Sequence, residues 1–205
     1  MSGDTQKTDR RVSRTRRLLR DALMALILER GYDAVTVEDI TGRADMGRTT
    51  FYLHYRDKEE LLVESVEAIA RELKAQVDHL EFSMVEDGRF HPSPLVVAFR
   101  HADEKRDLYR IILKGEGGGQ AARRIRDIIY ESAADFFTTR MRPLMDGEPE
   151  IPLPVVAGYF ASAMLGFMTW WLEKELAYSG EEAAELFSHM FFQGARQVMH
   201  LRFDG

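Results

Sequence analysis

Thr36-Val37-Glu38-Asp39-Ile40-Thr41-Gly42-Arg43-Ala44-Asp45-Met46-Gly47-Arg48-Thr49-Thr50-Phe51-Tyr52-Leu53-His54-Tyr55 is the stretch whose reading decides the fold. Thr36, with Asp39 three residues on, is close to a capping box and opens a helix of about two turns from Val37 to Ala44. Asp45-Met46-Gly47 breaks it. A second short helix follows from Arg48 to His54, and in it Phe51 and Tyr55, one turn apart, pack inward beside Ile40 and Ala44. Arg48, Thr49, Thr50, Tyr52, Leu53 and His54 are left outward. Two short helices across a three-residue break, behind a longer one, make a helix-turn-helix whose last helix enters a major groove. Tyr52 and His54 can donate to phosphate oxygens, while Arg48 and the threonines can reach base edges.

Upstream, Leu19, Ala22, Leu23, Leu26 and Ile27 follow the i, i+3, i+4, i+7, i+8 spacing of a helix with one buried stripe. A start near Ser13 is expected, with a stop at Gly31 as a left-handed cap and Tyr32 folding back on the last turn. Downstream, Asp57-Lys58-Glu59-Glu60 caps a long helix running to about Leu80. Net charge is −6, which by itself argues against nucleic acid, but its distribution does not. Lys7, Arg10, Arg11, Arg14, Arg16, Arg17 and Arg20 face only Asp4 and Asp9 in the first 20 residues, and the acidic excess lies beyond residue 60.

The rest of the chain also reads as helix. Leu95 to Lys114 is expected to bend around His101 to Lys105. Ala121 to Met141, about Leu153 to Tyr178 and about Glu181 to Arg202 follow, the last two joined through Ser179-Gly180. Asp87-Gly88, Pro92 and Pro94 mark a loop, as do Pro143 to Pro152, and Gly115 to Gly119 is a flexible interruption. No strand pattern is visible. Between Leu153 and Leu176 apolar residues occur almost all round, so one side needs a partner. Gly158, Ala161, Ser162 and Gly166 would allow close approach, and Ala184, Phe187, Phe191, Phe192, Ala195 and Val198 would join the contact.

Several function classes drop out. With no cysteine, disulfide scaffolds, thiolate metal sites and cysteine nucleophiles are excluded. The six histidines (His54, His79, His91, His101, His189, His200) are scattered without metal-ligand spacing, and Gly115 to Gly119 lacks the Lys-Ser/Thr of a phosphate loop. No enzyme, cofactor or metal is expected. The polar N-terminus is no secretory signal, and Val155 to Leu172 is too short and too rich in small residues for a membrane span. A soluble, cytoplasmic protein is expected.

Residues from about Thr15 to about Val66 resemble the DNA-binding domain of the tetracycline-repressor (TetR/AcrR) family. The resemblance rests on Thr15-Arg16-Arg17-Leu18-Leu19, Arg30-Gly31-Tyr32, Thr36 to Ile40, Thr50 to Tyr55 and Lys58 to Leu62. It implies that Thr36, Tyr52 and His54 hold the DNA backbone, that Lys58 and the free amides opening its helix contact another phosphate, and that Arg48, Thr49 and Thr50 read or approach bases. Two positions depart from the family pattern. Asp45 stands where glycine is common in the turn, and Gly47 replaces the usual serine or threonine cap. The resemblance further implies an all-α fold, with a helix-turn-helix domain over residues 1–56 behind a basic arm. A ligand-binding and dimerisation domain over 57–205 would follow, with 57–81 as connecting helix. The partners implied are double-stranded operator DNA, a second copy of the chain and a small-molecule effector. Phe99, Tyr109, Phe137, Phe160, Met164, Met168, Trp170 and Trp171 are the candidates to line an effector pocket. The competing reading is a helical dimeric adaptor without sequence-specific DNA binding; the outward Tyr52 and His54 argue against it.

Overall fold

A computed structural model gives the fold of residues 2–80, 83–84, 90–91, 94–113, 119–174 and 177–198; side chains at 2–9, 83–84, 90–91 and 193–198 are not described. Helix α1 spans Ser2–Arg30, so it begins eleven residues before the expected start. No proline interrupts residues 2–12, and the hydrogen-bond ladder runs on past Ser13 instead of opening there. It ends as expected: Gly31 adopts φ 77° and its amide donates to the Ile27 carbonyl at 2.8 Å. Helices α2 (Val37–Arg43) and α3 (Arg48–Tyr52) follow, then α4 (Lys58–Asp78). Leu19, Leu23, Ile27, Ile40, Phe51, Leu61 and Leu62 are completely buried together, each contributing about 1.5–3 kcal/mol through burial.

Two residues of strand, β1 (Ser83–Met84) and β2 (Phe90–His91), pair antiparallel as a small hairpin. The expectation of no strand is corrected here, because two-residue strands are too short to show period-2 alternation. The Asp87-Gly88 turn, Pro92 and the run Gly115 to Gly118 lie outside the described residues.

The chain then folds α5 (Pro94–Glu104) and α6 (Arg106–Leu113), with the expected bend at Lys105. Helix α7 (Gln120–Phe136) stops short of Met141 and widens into a π turn, Phe137–Met141, and a 3₁₀ turn, Arg142–Leu144. The Thr138 and Thr139 hydroxyls donate to the carbonyls of Ala134 and Asp135 at 2.7 and 2.8 Å, and Pro143 has no amide to continue the ladder. Helices α8 (Leu153–Glu173) and α9 (Gly180–Val198) complete the body. Gly180 sits against α5 so tightly that a Cβ there would lie 2.6 Å from the Phe99 carbonyl oxygen. Its amide donates to Asp103 at 2.8 Å, and the Trp171 indole donates to the Tyr178 carbonyl at 3.1 Å, closing the α8–α9 turn. Helix α8 is long and apolar enough to cross a membrane, yet eight of its residues are packed inside the protein. That makes it the central helix of the body.

Candidate nucleic-acid interface and interior cavity

The interface is built on α2. Thr36 caps it in a full capping box: its hydroxyl accepts from the Asp39 amide at 3.2 Å, and its own amide donates to the Asp39 carboxylate at 2.8 Å. The same hydroxyl also donates to that carboxylate at 2.5 Å. Arg30 reaches Asp39 from α1 at 2.8 Å, and Arg43 reaches Glu29 at 2.6 Å, so α2 is clamped to the first helix at both ends. The Thr36 hydroxyl and Arg30 hold the Asp39 carboxyl down at about 2. Asp45 takes the left-handed turn position at φ 53°, and the Met46 amide returns to the Thr41 carbonyl at 2.9 Å.

Phe51 and Tyr55 anchor α3, both buried with their rings 5.7 Å apart. That leaves Arg48, Thr49, Tyr52 and Leu53 exposed, with Thr50 and His54 half-buried. Tyr52 is 57% and Leu53 76% accessible. Gly47 caps α3 without a side-chain bond, at an open position. Arg48 is paired at 3.3 Å with Glu38 of α2, an acidic neighbour that the sequence reading did not single out.

Two residues expected at phosphates are committed elsewhere. Both hydrogen-bond donors of Thr36, its amide and its hydroxyl, go to Asp39. The Lys58 ammonium donates to the carbonyls of Val35, Tyr32 and Asp33 at 2.8, 3.0 and 3.3 Å, and lies 4.3 Å from the centre of the Tyr32 ring. With three carbonyl acceptors around its ammonium, Lys58 staples the α1–α2 loop to the start of α4. By contrast, Arg10, Arg14 and Arg17 share one exposed face of α1, and no ion pair among the described residues holds them. The sequence reading noted this arm by its charge alone, and a helix taken to begin at Ser13 left Arg10 off the face that Arg14 and Arg17 share.

In the body, α4, α5, α6, α7 and α8 line a partly open cavity of about 450 Å³. Five of the eight expected residues line it: Tyr109, Phe137, Phe160, Met164 and Met168. Three do not. Phe99 and Trp171 are completely buried against each other, 5.8 Å apart, with the Arg106 guanidinium 4.5 Å from the indole. Trp170, on the opposite side of α8, is exposed. The sequence reading missed the walls supplied by α4 (Val66, Ile69, Leu73) and α7 (Ile128, Ile129), although their apolar spacing was visible. Tyr109 bonds the His101 Nδ1 at 3.0 Å; burial raises its phenol above the ordinary range and lowers the imidazole. Lys74 and Asp78, paired at 3.1 Å, and the exposed Asp135, Thr139 and Arg140 form a charged rim.

A three-helix head carrying an outward reading helix, followed by a helical body around an apolar cavity, defines the class of helix-turn-helix regulators. Residues 19–64 match the family described as bacterial regulatory proteins, tetR family, and residues 93–193 match a transcriptional regulator C-terminal region. The chain belongs to the TetR family. It is 38% identical over 89 residues to the HTH-type transcriptional regulator YxbF of Bacillus subtilis (strain 168), itself described as uncharacterized; that match covers 40% of this chain and 23% of the relative's length. A TetR transcriptional regulator from Streptococcus agalactiae 2603V has the same fold, with TM-score 0.65 and 24% identity over 91% of this chain and 98% of that one. So does NalD, the secondary repressor of the MexAB-OprM multidrug efflux pump in Pseudomonas aeruginosa, with TM-score 0.60 and 20% identity over 89% and 97% of the two chains.

Proposed function

We propose that this chain is a cytoplasmic, ligand-responsive transcriptional repressor that binds a near-palindromic operator as a homodimer and is released by a small molecule. The observation that carries the reading is the outward surface of α3. Arg48, Thr49, Thr50, Tyr52 and His54 face away from a buried Phe51–Tyr55 anchor, as base and phosphate readers must. Gly47 lets the backbone at the start of α3 come close to DNA, and Arg10, Arg14 and Arg17 add phosphate contacts. Thr36 and Lys58 act from behind as positioning residues. Repression is the activity named for NalD and is carried over as part of the proposal.

The head is residues 1–56, with 57–205 as the ligand-binding and dimerising part and 57–81 as the connection. Val155, Tyr159, Ser162, Gly166 and Trp170 form an exposed stripe on α8, and Leu186 and Met190 stand exposed on α9. An apolar stripe with small residues at its centre suits a second copy of itself. The α9 residues expected at this contact are corrected: Ala184, Phe187, Phe191 and Phe192 are buried in the chain's own core, while Ala195 and Val198 lie outside the described side chains. Ala161 is likewise internal.

The effector is an apolar molecule with few polar groups, because Tyr109 is the polar side chain within the lining, while the exposed Ser132 and the charges sit at the rim. Helix α4 lines the cavity with Val66, Ile69 and Leu73 and is stapled to the head by Lys58. A ligand that moves α4 therefore moves the reading helices, with coupling typically worth ~1–3 kcal/mol.

The test is binding to labelled DNA flanking the chain's own gene, across a salt series and against random-sequence competitor. Affinity is expected to fall steeply with salt and to survive the competitor. Salt sensitivity with no sequence preference would return the reading to an adaptor.

A further inference from the structure

Leu53 is the most accessible large apolar side chain among the described residues, at 76%. A lone exposed leucine is ordinary on a protein surface; its place on the reading helix makes this one informative. It closes α3 as the C-cap, three and four residues after Thr50 and Thr49, so the two hydroxyls and the isobutyl group share one helix face. Of the side chains on that face it alone can make no hydrogen bond. Phe51 behind it is completely buried and already packed, and none of the aromatic contacts of Tyr52, Phe51 or Tyr55 draws Leu53 inward.

The major groove displays hydrogen-bonding atoms on every base and one apolar group, the C5-methyl of thymine. Any other base edge pressed against Leu53 would lose water from a donor or acceptor without replacement. Resting on the reading of α3 as the DNA-reading helix, we infer that Leu53 is a specificity-determining residue that selects thymine at one position of each operator half-site through contact with its methyl group. Arg48, five residues earlier and held by Glu38, reads a different position. The helix thus presents a charged end and an apolar end to successive base pairs.

The experiment uses the full-length protein. Bound DNA is selected from a random pool, and each thymine of the recovered operator is replaced symmetrically by deoxyuridine, which keeps the pairing and removes the methyl. One such pair of replacements is expected to weaken wild-type binding about fifteenfold. A buried methyl-sized group is worth ~0.8 kcal/mol, close to fourfold, and it acts once in each half-site. Leu53→Ala is expected to bind the thymine and deoxyuridine operators alike at that position and still to discriminate at all others. Leu53→Gln is expected to enrich a different base there when selection is repeated. Since Leu53 lies outside the core, both variants are expected to keep the wild-type unfolding curve. If the pool yields a specific operator but no thymine shows a Leu53-dependent loss, this inference is overturned while the DNA-binding reading stands. If the pool yields no specific sequence, both fall.

Discussion

Head and body each bury phenylalanines completely, yet they pack them in opposite ways. In the head, Phe51 sits among Leu23, Ile40 and Leu62, and the surrounding backbone is tied by side chains: Asp39 by Thr36 and Arg30, three carbonyls by Lys58. In the body, Phe137, Phe160, Phe187 and Phe191 pack ring against ring, mostly edge to face, beside a cavity of about 450 Å³ edged by two methionines. A close-packed core with polar ties resists deformation, whereas methionines that border open space can rearrange. The head is built to hold one shape, as the proposed positioning on DNA requires, and the body has room to adopt another. Helix α4 belongs to both.

The comparison breaks first on packing. Phe51→Ala should cost about 3–5 kcal/mol of stability, because its neighbours are fixed and cannot collapse into the space. Met164→Ala should fall below the ~2–5 kcal/mol usual for such a truncation, since its side chain already borders space. Urea unfolding of both variants decides the matter. Equal losses would show that the body is as rigid as the head.

Lys58→Met is next in size. Losing a charged donor to three carbonyls should cost about 1.5–3 kcal/mol of stability and lower operator affinity, while the slope of log affinity against log salt stays unchanged. A phosphate contact would behave otherwise, with the slope flattening by nearly one unit for each lost contact. Fluorescence-monitored binding at four or five salt concentrations separates the two. A flattened slope would return Lys58 to the role the family resemblance implied.

Tyr52→Ala should leave stability within about 0.5 kcal/mol, as expected for an exposed side chain, and yet weaken operator binding tenfold or more, because a hydrogen bond to a charged phosphate is worth ~1.5–3 kcal/mol. Tyr159→Glu on the body's exposed stripe should likewise spare the fold, and by sedimentation it should yield monomers. A folded, fully dimeric Tyr159→Glu would place the interface elsewhere.

How much could be read beforehand follows the same division. The head's buried stripe, its capping box, the left-handed Gly31 and the outward face of α3 are all determined within a few residues of themselves, so spacing and residue type sufficed. The commitments of Thr36 and Lys58 were not legible. Residue type says that a hydroxyl or ammonium can donate, while the acceptor it finds is set by geometry, and Lys58 finds its acceptors more than twenty positions away. In the body, helix periodicity named the apolar residues but not which of them meet a cavity. Trp170 and Trp171 are neighbours on α8, and they end exposed and completely buried respectively. The π turn after Phe136 shifts the phase of residues 137–141, an effect that a 3.6-residue template cannot anticipate.

The smallest expected effect compares two caps. Asp39 in the head and Glu182 in the body each accept from the backbone amide and hydroxyl of a residue three positions earlier, Thr36 and Ser179. Both carboxyls are lowered by those bonds, and Asp39 has Arg30 in addition, which brings it to about 2. A carboxyl depressed in the folded state stabilises the fold above its unfolded value, and the stabilisation is lost as pH falls through the folded one. The Ser179 cap should therefore release first on acidification, below the ordinary glutamate range, and the Thr36 cap only near pH 2. Following the amide resonances of Ser179 and Thr36 during an acid titration reads each cap directly. The two midpoints should be separated, with Ser179 higher, and Arg30→Gln should draw them together. Coincident midpoints in the wild type would mean that Arg30 adds nothing to the clamp, and that the head is held no more firmly at this end than the body.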